Sequence, residues 1–183
     1  MRTTPGLPFR ALFPALVVLA CSSTSVTRLP VAAATAALRD ASGATVGAAQ
    51  VRQEAGGLVH VDVTLSSLTP GAHGIHFHEV GRCDGAGAFA TAGAHYNPLG
   101  REHGLTRPGG PHAGDAPNVV AGSDGRATLS FTTDRITLTP GSISVFDGDG
   151  TSLVVHAAPD DQTSQPSGNS GARVSCGVVQ RVP

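Results

Sequence analysis

The sequence predicts an all-β domain, a sandwich or flattened barrel of about eight short strands. Three observations carry this. Glycine (24) and proline (13) are frequent and tryptophan is absent, and valine, threonine, alanine and glycine dominate. Such a composition favours short strands over helices. Apolar and polar residues alternate in several runs, the period of a half-buried strand. Turn signals recur between those runs.

The first three strands are expected at 31–39, 44–53 and 58–68. They are divided by Asp40-Ala41-Ser42-Gly43 and Glu54-Ala55-Gly56-Gly57. The third run alternates most cleanly: Val59, Val61, Val63 and Leu65 share one face, and His60, Asp62 and Thr64 the other. A fourth strand is expected at 73–79. Residues 118–121 and 126–132 flank Ser123-Asp124-Gly125, a hairpin signal. Runs at 142–146, 153–156 and 173–179 complete the set. Segments 81–117 and 157–172 are long and carry no strand pattern. Unstructured connections of that length inside a compact domain usually carry function.

The N-terminus reads as a targeting segment. Arg2 and Arg10 precede the apolar run Ala11-Leu12-Phe13-Pro14-Ala15-Leu16-Val17-Val18-Leu19-Ala20. That run is too short for a membrane-spanning helix and fits a secretory signal. Val18-Leu19-Ala20-Cys21 resembles the lipobox of bacterial lipoproteins. Residues 1–20 are therefore expected to be a signal peptide, Cys21 to carry the lipid, 21–30 to be a flexible tether, and 31–183 to form the domain. An ordinary secretory signal is the alternative. Either way the location is extracytoplasmic, periplasmic or on the cell surface; lipidation would make the membrane a partner. With Cys21 set aside, Cys83 and Cys176 remain as an even pair, expected to form a disulfide in an oxidising compartment.

Formal net charge is −1, and every basic residue is arginine. Nothing here is the electrostatic footprint of a nucleic-acid binder. Removing the leader takes away two arginines and no acid, leaving ten basic against thirteen acidic residues, or −3.

Six of the eight histidines gather in loops and strand ends. His76 and His78 stand at i and i+2 on a strand, so their imidazoles share a face. Alone, that pair is equally at home on a solvated surface. The long loop adds His95, His103, His112 and Asp115; three histidines and a carboxylate make a complete zinc set. His156 ends a distant strand. His60 lies on the polar face of its strand and is expected to be exposed. His73 has the opposite parity to His76 and His78 and is expected to make a structural hydrogen bond.

Four stretches together resemble the copper/zinc superoxide dismutase family. They are Gly71-Ala72-His73-Gly74-Ile75-His76-Phe77-His78-Glu79, Ala92-Gly93-Ala94-His95-Tyr96-Asn97-Pro98, Leu153-Val154-Val155-His156, and Gly168-Asn169-Ser170-Gly171-Ala172-Arg173-Val174-Ser175-Cys176-Gly177. They occur in the family's order between about residues 31 and 179. The position of Cys83, five residues after His78, is more similar to bacterial members.

The resemblance implies an eight-stranded Greek-key flattened β-barrel of immunoglobulin-like sandwich architecture, with two long functional loops. It implies one copper held by His76, His78, His95 and His156, and one zinc held by His95, His103, His112 and Asp115. His95 is the shared ligand. Asp160 matches the family's carboxylate that links a copper histidine to a zinc histidine, here His76 and His103; His73 would also support the site from behind the ligands. The activity implied is dismutation of superoxide, with His95 carrying a proton and Arg173 positioning the anion. Monomers and homodimers both occur among bacterial members. The competing expectation is a non-enzymatic periplasmic copper- or zinc-binding protein, against which the complete ligand set and Arg173 weigh. In one place the chain departs from the eukaryotic pattern: the charged Glu/Lys group of the last long loop is replaced by the uncharged stretch 162–167.

Overall fold

The computed structural model describes residue 1 and residues 30–183. Cys21, the leader apart from Met1, and all of the tether except Pro30 lie outside the described residues. Ten strands and one turn of 3-10 helix at Ala90–Ala92 form the regular structure of the described residues. Strands β1 (Ala32–Asp40), β2 (Thr45–Gln53) and β3 (Val59–Leu65) make an antiparallel meander, joined by the two expected turns. β3 pairs on its far side with β7 (Ala127–Thr133). The other edge of β1 meets β9 (Arg173–Val178) at one end and β10 (Gln180–Arg181) at the other. β9 pairs with β8 (Ser152–His156), and β8 with β5 (Ile75–His78). The resulting order is β5-β8-β9-β1-β2-β3-β7, curled into a half-barrel. β4 (Gly71–His73) and β6 (Val119–Ala121) form a separate pair, with β6 beside β7. The all-β expectation holds.

The alternation in the sequence becomes the wall of the core. Val59, Val61, Val63 and Leu65 are buried. Across the ladders Val61 faces Val51 and Phe131, and Val63 faces Ala49 and Leu129. The opposite face stays wet: Asp62 pairs with Arg52 and accepts the Ser130 hydroxyl at 2.6 Å. His60 is there as expected, about one-third exposed and bonded to Glu54.

Three sequence expectations are corrected. The strand expected at 73–79 is two strands broken at Gly74, which donates to Ala158 O and accepts from His156 N, both at 2.8 Å. β4 and β5 therefore join different sheets. The hairpin at 123–125 forms its turn, with Gly125 N on Gly122 O at 3.0 Å, but its flanking strands β6 and β7 pair with β4 and β3 instead of each other. Residues 142–146 make no strand. They fold back on Thr137 through a single parallel bridge, and Val145 is buried there without a ladder.

The expected disulfide joins Cys83 to Cys176, with Cα atoms 5.6 Å apart. It fastens the start of the long loop to β9 within a small apolar cluster of Phe89, Ala92, Val154 and Cys176.

Candidate metal centre

β5 is buried along its whole length. His76 and His78 point from it to one side, with ring centroids 6.4 Å apart. The β5–β8 register sets Ile75 against Val155. His156 thus arrives beside His76, with ring centroids 5.0 Å apart. The long loop supplies the rest by lining the free edge of β5. Tyr96 N donates to Phe77 O at 2.8 Å, Phe77 N to Gly114 O at 2.9 Å, and Gly114 N to Tyr96 O at 2.8 Å. Bridges form between His78 and His95 and between His76 and Asp115. The loop lacks a strand pattern, yet its backbone is paired to a strand. This brings together two groups of four buried side chains: His76, His78, His95 and His156, and His95, His103, His112 and Asp115. In each group the potential donor atoms lie within 4.8 Å of one another.

The tautomers in the first group follow from acceptor-only partners. His76 Nε2 donates to Asp160 Oδ2 at 2.7 Å, His78 Nδ1 to Gly93 O at 3.0 Å, and His156 Nδ1 to Gly171 O at 3.2 Å. In a neutral ring the opposite nitrogen then carries a lone pair. These atoms, His76 Nδ1, His78 Nε2 and His156 Nε2, are buried without a hydrogen-bond partner, as is His95 Nε2. A buried polar atom left unpaired costs about 1–3 kcal/mol, and four of them converge here. Burial holds His78 at about 2, His156 at about 3 and His95 at about 4, the neighbouring positive groups lowering them further and Asp115 partly opposing at His95. Neutral imidazoles with inward lone pairs are the donor set of a transition metal.

In the second group, one oxygen does the gathering. Asp115 Oδ1 lies 3.0 Å from His103 Nδ1, 3.2 Å from His95 Nδ1 and 3.4 Å from His112 Nδ1. Ligands about 2.0–2.1 Å from a tetrahedral zinc stand roughly 3.3–3.4 Å from each other, close to this spacing. His103 also faces Asp160 Oδ1 through Nε2 at 3.0 Å. With that N–H donated, a neutral ring would turn a lone pair on Asp115. Burial opposes charge on His103, yet the two carboxylates push it up to about 9. Asp115 and Asp160 are held well below the usual carboxylate range; burial works against this, and their histidine partners outweigh it. The pocket is built for positive charge. Both sets of residues fit the metals that the resemblance implies.

Asp160 links His76 to His103 as expected. Its own backbone is gripped by Asn118, which donates to Asp160 O at 2.9 Å and accepts from Asp160 N at 2.8 Å. His73 faces away from the donors and bonds His156 O through Nδ1 at 2.7 Å. Arg173 is pinned by Phe89 O and Gly93 O, each at 2.6 Å. It lines an open cleft with His78, His95, His156 and Ser167. Asn118 and Arg135, which donates to Asp115 O at 2.7 Å, were not singled out in the sequence. Neither sits in a motif, and each finds its partner only through the fold.

Residues 45–179 match the family described as copper/zinc superoxide dismutase. The chain is 41% identical over 150 residues to a Cu-Zn superoxide dismutase of Caulobacter vibrioides, covering 80% of this chain and 85% of that one. It is 40% identical over 140 residues to Cu-Zn superoxide dismutase 1 of Aquifex aeolicus, covering 75% and 82%. Among solved structures, a SOD-like protein from Bacillus subtilis superposes with a TM-score of 0.74 at 34% identity, covering 79% of this chain and 96% of that one. The chain belongs to the copper/zinc superoxide dismutase family.

Proposed function

We propose that His76, His78, His95 and His156 hold copper and that His95, His103, His112 and Asp115 hold zinc, one of each per subunit. The activity is superoxide dismutation: two superoxide ions and two protons become dioxygen and hydrogen peroxide. When bound, copper supplies the one-electron couple and zinc a fixed charge without redox chemistry. The protein's own groups do the rest. Arg173 binds and orients the anion in the cleft, because its planar fork is always charged and two carbonyls fix its direction. His95, a residue of the same cleft, holds and delivers a proton at Nε2 while Nδ1 stays toward Asp115. Asp160 keeps the His76 and His103 rings in one tautomer.

The observation that carries the ligand assignment is the convergence of four buried, unpartnered imidazole nitrogens. Metal analysis of the purified domain, with superoxide consumption by the copper-loaded protein, tests it. One copper and one zinc per chain with activity are expected. Metal uptake without superoxide consumption would favour a metal-binding protein instead.

We also propose that Cys21 is lipidated and the domain is held outside the cytoplasm. The lipobox-like run at 18–21 supports this, and a disulfide is at home in an oxidising compartment. Intact mass of the processed protein checks it: an acylated Cys21 is expected, and an unmodified one refutes the anchor.

A further inference from the structure

The uncharged stretch 162–167 lies against the loop that carries His103. Gln165 Oε1 accepts His103 N at 2.8 Å, and Gln165 Nε2 donates to His103 O at 2.9 Å. Both backbone groups of one residue are thereby held by one amide. Gln162 Oε1 accepts Leu105 N at 2.9 Å. Between them the two loops touch directly: a Cβ on Gly104 would stand 2.1 Å from Gln162 O. Gln162 itself has φ +60°, a conformation a non-glycine residue adopts only when its surroundings impose it. Its backbone N–H is held by Asp160 Oδ1 at 2.6 Å. These bonds end on His103, on its second neighbour Leu105, or on the carboxylate that His103 faces; weaker ones run from Gln162 Nε2 to Ala116 O at 3.4 Å and from Gln165 Nε2 to Thr163 O at 3.3 Å.

We propose that Gln162 and Gln165 are positioning residues for His103, an amide clasp that sets one zinc donor from the neighbouring loop. The proposal rests on the reading of His103 as a zinc ligand. The stretch 162–167 carries no charge, and its neutral side chains fasten the two long loops together. An amide suits the task because it offers a donor and an acceptor at once and does not titrate. Fixing the loop before zinc arrives raises affinity, since a site formed only part of the time binds proportionately more weakly.

Two variants of the full domain separate positioning from simple packing. Gln162→Gly removes the side-chain amide while placing at φ +60° the residue that accepts it without strain, so folding is not penalised by the backbone. Gln165→Met keeps length and removes both polar atoms. Zinc affinity is read by chelator competition on the copper-loaded protein, and donor geometry by the visible spectrum of cobalt placed in the zinc position. Each variant should bind zinc about ten-fold more weakly, the size of one to two lost hydrogen bonds, with an altered cobalt spectrum and unchanged copper content. Zinc affinity within two-fold of the parent and an unchanged cobalt spectrum would overturn the clasp, whatever happens to the unfolding temperature. A parent protein that binds no zinc would overturn the ligand assignment instead, and so the two failures are distinguishable.

Discussion

The two halves of the metal centre are built differently. Three of the four proposed copper donors stand on strands: His76 and His78 on β5 and His156 at the end of β8. Their backbones belong to a ladder, and burial holds His78 and His156 well below the usual histidine range. The four proposed zinc donors all come from one loop, gathered around Asp115 and tied to a second loop by side-chain amides. A strand position inherits its rigidity from the core. A loop position has only local bonds, and here its donors also include a buried carboxylate that needs a cation. The copper half is set by the barrel, and the zinc half is set by charge and by loop-to-loop contacts.

The sharpest way to break this contrast is to delete one donor from each half. His156→Ala should lose copper and lower activity by about a hundred-fold or more, roughly 2.7 kcal/mol of barrier, while zinc remains near one per chain. Asp115→Ala should lose zinc and speed amide exchange along 95–115, with copper retained. Metal analysis of both variants decides it, and equal loss of both metals from either would mean that the halves are not independent.

A core substitution probes the same contrast from the barrel side. Leu38 is completely buried in β1, far in sequence from every donor. Leu38→Ala should cost about 2–5 kcal/mol of stability, measured by denaturant unfolding. Below its transition, both metals should still bind at parental stoichiometry. Zinc lost before unfolding begins would show that the loop draws its order from the core after all.

Arg173 reports on the cleft rather than on either donor set. Arg173→Ala should lower kcat/KM by about ten-fold, ~1.4 kcal/mol, with both metals retained. Arg173→Lys should recover part of this, because charge is kept but the planar fork is lost. Full activity in metal-verified Arg173→Ala would leave the side chain a packing role only.

The smallest effect is expected at Asp161, which orders the last loop by accepting from Ser164, Thr163 and Asn169. These bonds, led by the Ser164 hydroxyl, hold its carboxyl below the usual range. Folding therefore favours the ionised form. Its contribution is complete above about pH 4 and fades as pH falls below that, toward its depressed folded value. Asp161→Asn should accordingly lower stability slightly at neutral pH and converge on the parent in acid, so that the acid limb is flattened. A parental acid limb in that variant would show that the loop is ordered by other bonds.

Much of this was legible in the residues themselves. Alternation located β2, β3 and β7, because a half-buried strand must alternate whatever it pairs with, whereas β8 is buried throughout and was read from its short apolar run. The histidines and Asp115 were recognisable by type and motif. Less legible was anything that depends on a partner distant in sequence. The run 73–79 reads as one strand, and only Ala158 and His156, bonding at Gly74, divide it. The run 142–146 alternates like a strand but meets no free edge. Gln162 and Gln165 read as an absence of charge, and their role becomes visible only when His103 lies against them.

By itself, then, the chain determined the class of fold, the candidate donor residues and the cysteine pair. These follow from residue type and short-range period, which are local properties. The tertiary structure decided which imidazole nitrogens are left buried without a partner, how Asp160 is shared, and how the two long loops fasten to each other. Those depend on hydrogen bonds between residues 42 to 84 positions apart, and no local pattern encodes the geometry at which distant segments meet.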